Sequence, residues 1–170
     1  MMGSGSSVDW ESIARGMVDN VTEFELTDYK PTEVGNYQFQ GRRGLKAVII
    51  ESATSLGQAC FNECANLASV ILPSNMGNIQ FQAFNNCRSL TTITIPASVT
   101  TIGQYAFSNC QGLVSVILEP TTPPTISSYS WNNTTCNFYV PDSSVEAYKA
   151  ANIWSTLASR IKPISELSNE

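Results

Sequence analysis

The sequence predicts an α/β solenoid in which each coil of about 23 residues holds one short parallel strand plus a helical or 3-10 turn, closed by a C-terminal helical cap. Two observations predict this fold: a fixed repeat period, and two apolar periodicities inside each repeat. A fixed period of this length is typical of a solenoid, because each repeat is one turn of chain stacked on the last. The period is visible in two sets of residues spaced by 23: Cys64, Cys87 and Cys110, and Phe61, Phe84 and Phe107.

Each repeat carries the same template of apolar positions. The clearest copy consists of Leu56, Cys60, Phe61, Cys64, Leu67, Val70 and Leu72. Copies in the same register begin at Ile79 and Ile102, and a degraded copy with Arg42 in the thiol position begins at Val34. We interpret the aromatic and thiol positions as a buried structural ladder that holds the coils in register: Phe39, Phe61, Phe84, Phe107, Cys64, Cys87 and Cys110.

Two periodicities divide the template into a turn and a strand. Phe61, Cys64 and Leu67 are three residues apart, which favours a helical or 3-10 turn. Val70 and Leu72 alternate with polar or outward positions, which favours a short strand. Strands of successive coils are expected to pair in parallel, about 4.8 Å apart.

The predicted organisation has four parts. Residues 1–9 form a flexible lead or cloning remnant, residues 10–33 a degenerate N-terminal capping repeat, residues 34–118 the regular repeats, and residues 119–170 the last coil and its cap. In the last part Trp131 takes the aromatic position, and residues 138–141 form its strand. Asp142, Ser143 and Ser144 are the residue types that cap a helix N-terminus, so a short amphipathic helix is expected to follow them. Such a cap covers the core and the sheet edge of the last coil.

Composition narrows the function classes. The net charge of −5 argues against binding to nucleic acid, and no apolar run is long enough to span a membrane. The clustered cations Arg42, Arg43 and Lys46 are expected to form a solvated edge of the first full repeat.

Two copies of the repeat, residues 84–90 and 104–116, resemble the BspA-type leucine-rich repeat, since the pattern Ala-Phe-x-x-Cys-x-x-Leu-x-x-Val-x-Leu recurs in register. Residues 139–150, with Trp154 and residues 160–164, resemble the C-terminal cap of such proteins from gut bacteria. The resemblance implies a surface-exposed adhesion or recognition module, located outside the cell, with extracellular matrix or other cells as partners. Gln38 and Arg42 depart from the pattern in the first full copy.

Similar repeats also occur in proteins of bacteriophages that infect gut bacteria. The opening segment, residues 9–17, looks more like those versions, which have no export signal. This likeness implies the alternative function, a structural component of a phage virion whose partners are neighbouring subunits.

The five cysteines are the first candidates for chemistry. Because the ladder thiols occupy identical template positions, they point the same way, and we interpret all five as buried free thiols that act as small apolar groups. A disulfide between neighbouring coils and a metal site at Cys60 and Cys64 stay open as alternatives. The chain contains no histidine, so a zinc site with histidine ligands is excluded. No cofactor or metal is expected.

Catalysis finds little support in the residues. Without histidine, the commonest general base and the usual partner of a nucleophilic serine or cysteine are absent. A pair of carboxylates could still act on a sugar, which leaves a carbohydrate-active enzyme as a remote alternative. The crowded acidic residues near the N-terminus are expected instead to form a solvated, repulsive end: Asp9, Glu11, Asp19, Glu23, Glu25, Asp28 and Glu33.

The outward face of the strands is the predicted binding site. In each strand the template residues face inward, so the residues between them face solvent. The outward positions form an apolar row with three exposed isoleucines and a hydroxyl row beside it, which suggests a surface for a protein or glycan. The predicted site consists of Ile49, Ile71, Thr94, Ile117, Ser69, Thr92 and Ser115. The competing explanation is that β-branched residues simply favour strands.

Overall fold

The computed structural model describes residues 24–26 and 32–169, and it confirms the predicted solenoid. The lead 1–9 and most of the predicted capping repeat 10–33 lie outside the described residues. The ten strands are β1 (Phe24–Leu26), β2 (Leu45–Ile49), β3 (Ser69–Ile71), β4 (Asn78–Ile79), β5 (Thr92–Ile95), β6 (Thr101–Ile102), β7 (Ser115–Leu118), β8 (Thr125–Ile126), β9 (Asn137–Val140) and β10 (Ile161–Pro163).

The long strands of successive coils pair in parallel, as the template predicts. One sheet has the order β1-β2-β3, and a second has the order β10-β9-β7-β5. Equivalent template residues lie opposite each other, since Ile49 pairs with Ile71 and Thr94 pairs with Ile117. This register places every template residue at the same depth in successive coils.

A third sheet, β4-β6-β8, was not predicted. Its strands have only two residues each, and they pair in parallel through Ile79 with Ile102 and Ile102 with Ile126. The isoleucines are buried and their neighbours Asn78, Thr101 and Thr125 are exposed. Each coil from residue 78 onward therefore carries two strands, one on each side of the core.

The segment between the two strands is a series of turns rather than a helix. Within a coil, the amide of Asn62 donates to the carbonyl of Ala59, three residues back as in a 3-10 helix. Between coils, the amides of Ala59 and Phe61 donate to the carbonyls of Phe81 and Ala83. Left-handed backbone recurs at two template positions and interrupts any longer helix: Ala59, Gln82 and Tyr105, and Glu63, Asn86 and Asn109.

The phenylalanines form a continuous stack through the core. The ring centroids of Phe39, Phe61, Phe84 and Phe107 follow one another at 5.3, 5.4 and 5.3 Å, with interplanar angles of 6–9°. Trp131 continues the stack at 4.6 Å from Phe107, which confirms that it occupies the aromatic position of the last coil. All five rings are buried, so the predicted aromatic ladder is the centre of the core.

The predicted strand of the last coil and the helix after it are confirmed: β9 is followed by a 3-10 turn at Asp142–Ser144 and by helix α1 (Val145–Ala150). Ser144 occupies the N-cap position of α1, within the predicted cluster, but its side chain does not cap the helix. Ser144 Oγ donates instead to the carbonyl of Thr121 at 2.9 Å, and Asp142 Oδ1 accepts from the amide of Ser165 at 3.1 Å. These side chains connect the cap to the last coil and to the tail rather than to the helix end.

The remainder of the cap covers the end of the core. Trp154 begins a 3-10 helix (Trp154–Arg160), is buried, and packs against Phe138 and Tyr148. Strand β10 then pairs with β9, and a last 3-10 helix (Ile164–Asn169) follows. None of the helices in the described part of the chain is long and apolar enough to cross a membrane.

Candidate functional site

The outward positions of the strands lie on one face, as the sequence predicts. Ser69 and Ile71 are exposed while Val70 and Leu72, which alternate with them, are buried, and Thr92 and Thr94 are exposed in the same way on β5. The expectation of three exposed isoleucines is wrong in part. Ile71 is 54% exposed, but Ile49 and Ile117 are half-buried.

Ile117 lies beside the strand of the last coil. Ile117 lies in register with Tyr139 of β9, which is itself 2% exposed although it follows the buried Phe138 on the strand. The open part of the apolar row is therefore centred on Ile71 and Thr94 rather than spread evenly over the sheet.

A row of hydroxyl groups borders the apolar row. Ser69, Thr92 and Ser115 all lie on the outward side, and Thr92 and Ser115 are paired in register on β5 and β7. The Ser115 hydroxyl donates to Thr92 Oγ1 at 3.4 Å. None of the seven predicted site residues carries a charge. The outward face can thus contact both apolar groups and hydrogen-bonding groups, but it cannot form ion pairs through these rows.

The outward face contains a break that the sequence does not reveal. Strands β3 and β5 belong to adjacent coils, yet they lie in different sheets. The same two coils are joined on the turn side, where the amides of Phe61 and Glu63 donate to the carbonyls of Ala83 and Asn85. The coils therefore separate only on the strand side.

A cleft of about 280 Å³ opens at this break. Its position explains why Val70 and Leu72 are the most exposed members of the inward row, at 7% and 8%. The cleft divides the predicted site between two sheets and is lined by Val70, Ile71, Leu72, Ser74, Thr94, Pro96 and Glu119.

A second exposed row was missed by the sequence analysis. Tyr105 and Tyr129 stack at 5.3 Å along the turn edge, and Phe81 packs edge-on against Tyr105 at 6.0 Å. Tyr37 and Tyr129 are 50% and 47% exposed. The available signal was that Tyr37, Tyr105 and Tyr129 each precede the stacked aromatic residue by two positions.

The cysteines are structural. All five are free and buried, as predicted. Burial raises the pKa of Cys64 and Cys110 to about 12, and it also raises the pKa of Cys60 and Cys87. Desolvation also raises the pKa of Cys136, although Arg160 Nη2 lies 3.2 Å from its sulfur and acts in the opposite direction. Thiols with raised pKa are protonated at neutral pH, and the thiolate is the form that attacks substrates and binds metals.

The remaining candidates for chemistry are a metal site and the N-terminal acidic residues. Within residues 24–26 and 32–169, no three His, Cys, Asp or Glu side chains cluster closely enough to hold a metal ion. Of the N-terminal acidic residues, Glu25 and Glu33 are exposed. The other five acidic residues, Asp9, Glu11, Asp19, Glu23 and Asp28, lie outside the described residues.

The expected solvated edge is correct for Arg43 but not for its neighbours. Arg42 and Lys46 are half-buried, whereas Arg43 is exposed. Arg42 occupies the thiol position of its coil and lies close enough to Cys64 to lower the pKa of that thiol, an effect smaller than the rise caused by burial. The template position explains the difference, because it directs residue 42 toward the core and residue 43 away from it.

Comparison with known sequences decides the family. Residues 20–151 match the BspA-type leucine-rich repeat region in six copies. The chain belongs to the BspA-type leucine-rich repeat family. No curated protein matches this BspA-type chain.

Solved structures share the BspA-type fold. The Treponema pallidum leucine-rich repeat protein is 32% identical, with a TM-score of 0.60 over 71% of this chain and 58% of its own. A leucine-rich cell surface protein of Faecalibacterium prausnitzii is 23% identical, with a TM-score of 0.53 over 77% of this chain and 31% of its own. The pneumococcal vaccine antigen PcpA is 16% identical, with a TM-score of 0.57 over 84% of this chain and 40% of its own. The chain thus spans between about a third and three fifths of these relatives.

Proposed function

We propose that this BspA-type chain is a non-catalytic recognition module that binds a protein or glycan through the outward face of its strands. The observation that carries the proposal is the pairing of an uncharged apolar row with a hydroxyl row, open around Ile71 and Thr94. An exposed isoleucine beside a cleft lined by Val70, Leu72 and Pro96 offers apolar area that a partner would remove from water. This chemistry favours a protein partner, whose aliphatic or aromatic side chains fit such a cleft.

The proposal that the module is non-catalytic is supported by the lack of residues that could activate a nucleophile. The chain has no histidine, and the buried thiols have raised pKa values, so the two commonest routes to an activated nucleophile are missing from the described residues. A binding role requires neither, since contact area and hydrogen bonds alone support recognition.

We further propose that the module is displayed outside a bacterial cell. The family supports this location, as does the fold shared with the F. prausnitzii protein, which is itself described as a cell surface protein. An adhesion role toward host cells or matrix follows from the same proposal.

The Ile71→Asp substitution tests the outward face. Binding of the chain to a panel of immobilised extracellular-matrix proteins and host-cell glycans is measured by biolayer interferometry. A charge at residue 71 should weaken the observed binding by about tenfold or more, because burying an unpaired carboxylate in an interface is unfavourable. Since Ile71 is exposed, the fold and its thermal midpoint should be unchanged.

Tyr37→Asp is the matched control, because Tyr37 is 50% exposed, receives the same charge, and lies on the turn edge. Its backbone φ of 58° is one that aspartate tolerates. Equal binding by the folded Ile71→Asp variant and the unaltered chain would reject the outward face as the site.

A further inference from the structure

A polar groove lies on the turn edge, away from the apolar row of the outward face. Its volume is about 490 Å³, which is within the range of about 300–1,000 Å³ typical of ligand sites. The groove is lined by Arg43, Glu63, Ala65, Asn66, Asn86 and Arg88.

The groove arises from the repeat itself. Arg43, Ala65 and Arg88 each follow the thiol position of their coil by one residue, so they stack in three successive coils. The small side chain of Ala65 leaves a gap between two long ones. The stacked rings of the same coils are 5.3 and 5.4 Å apart, so the two arginine backbones are separated by about 10 Å, twice the usual strand spacing.

The two guanidinium groups are available to a ligand. Arg43 and Arg88 are exposed, and neither forms an ion pair within the described residues. Glu63 is the single acidic residue in the lining, which therefore carries two positive charges against one negative charge. Arg88 is also the only charged residue between Ala65 and Leu118, so no charge in residues 89–118 opposes it. A net positive groove on a chain of net charge −5 is complementary to an anion.

The remaining lining is polar and suits a sugar better than a protein. Asn66, in the lining, donates from Nδ2 to the carbonyl of Arg43 at 2.7 Å, and its amide oxygen remains as an acceptor. The Asn86 side chain has no hydrogen bond within the described residues, so its amide is open to a ligand. Ala65 is the only apolar residue of the lining, whereas strong protein–protein contacts are built around buried aromatic anchors.

We propose that this groove binds an acidic glycan whose sugars carry carboxylates, such as a uronate chain. Each arginine would hold one carboxylate through paired N–H···O bonds, which its planar guanidinium favours over a single point contact. Asn66, Asn86 and Glu63 would hydrogen-bond the sugar hydroxyls between the two carboxylates. Because the groove is separate from the apolar row, this site does not depend on the function proposed for the outward face.

A binding titration with an unbranched tetragalacturonate tests the proposal. Isothermal titration calorimetry with the full chain should detect binding that weakens as sodium chloride is raised, because screening weakens contacts between exposed charges. The Arg43→Gln/Arg88→Gln variant should bind about tenfold more weakly or worse, since one charge-assisted hydrogen bond accounts for that factor. A Lys149→Gln/Lys162→Gln variant removes the same two charges from the cap and should bind within about twofold of the unaltered chain.

Two further probes separate the ligand classes. Neutral galactotetraose should bind at least about tenfold more weakly than tetragalacturonate, because it lacks the carboxylates. Tetraglutamate carries the same charge without sugar hydroxyls, and it should also bind more weakly. The proposal is overturned if tetragalacturonate does not bind, if the arginine and lysine variants lose binding equally, or if tetraglutamate binds as tightly as the uronate.

Discussion

The thiol of Cys87 donates a hydrogen bond to the backbone carbonyl of Phe61 in the preceding coil, across 3.3 Å. The neighbouring coils repeat the contact, since Cys64 donates to Phe39 and Cys110 donates to Phe84, each at 3.1 Å. The thiol and aromatic positions therefore act together. The ring of each ladder phenylalanine stacks on the ring of the next coil, and its backbone carbonyl accepts a hydrogen bond from the thiol of that next coil. Cysteine suits this position because it is small, tolerates an apolar environment and still carries a weak donor.

The buried thiols make stability fall at alkaline pH. The pKa of Cys110 is about 12 in the folded chain and about 8.5 in an unfolded chain. Between these values the unfolded chain binds fewer protons, so the free energy of unfolding decreases as pH rises. The Cys110→Ala variant lacks this contribution. Between pH 8 and pH 10 the unaltered chain should therefore lose about 2 kcal/mol more than the variant.

Urea unfolding at several pH values up to 10 measures this difference. Ionisation of unfolded tyrosines also contributes near their ordinary pKa of about 10, but the two proteins contain the same tyrosines, so this contribution cancels in the difference. Parallel losses in the two proteins would contradict a buried, protonated Cys110.

Close stacking of the coils leaves no room for a side chain at Gly103. A Cβ on Gly103 would lie 2.7 Å from the amide nitrogen of Phe81 and 2.8 Å from the carbonyl carbon of Gln80, both backbone atoms of the preceding coil. Gly103→Ala should therefore lower the free energy of unfolding by about 1–3 kcal/mol, because the coils must move apart. Gly77→Ala is the control, as a Cβ there meets nothing within 4 Å. Chemical denaturation compares the two, and a similar loss in both would show that the coils are not held that closely.

Two buried tryptophans differ in one hydrogen bond. Trp154 Nε1 donates to the carbonyl of Pro124 at 2.8 Å, whereas Trp131 Nε1 is buried without a partner in the described chain. Trp154→Phe leaves the Pro124 carbonyl unpaired, while Trp131→Phe restores the template residue and removes an unpaired donor. We expect Trp154→Phe to destabilise the chain by about 1–3 kcal/mol more than Trp131→Phe, measured by thermal and urea unfolding. Equal effects would contradict a stabilising role for the Trp154 contact with the last coil.

The regular part of the fold was predictable because it follows from repeated residues. The spacing of Phe61, Phe84 and Phe107 fixes the stack, and the alternation at Val70 and Leu72 fixes which side of each strand faces solvent. Trp131 could be placed as well, since it is an aromatic residue 24 positions after Phe107, one more than the repeat period.

Three irregular features could not be predicted from the sequence, and each has a physical reason. Strands of two residues, such as β4, are too short for an apolar alternation to distinguish them from a loop. The break between β3 and β5 separates two coils that carry the same template with the same spacing, so no residue marks it. The half-burial of Ile117, which lies in register with Tyr139 of the last coil, depends on packing between coils that local pattern does not encode.

Thiol labelling of an Ile71→Cys variant tests the central claim most directly, namely that the ladder is buried structure and that the adjoining strand residues face solvent. The variant contains the five natural cysteines plus the new one. With a chromogenic disulfide reagent, one thiol per folded chain should react at once, and all six should react in denaturant. Rapid labelling of ladder thiols in the folded chain, slow labelling at residue 71, or fewer than six thiols in denaturant would contradict the account.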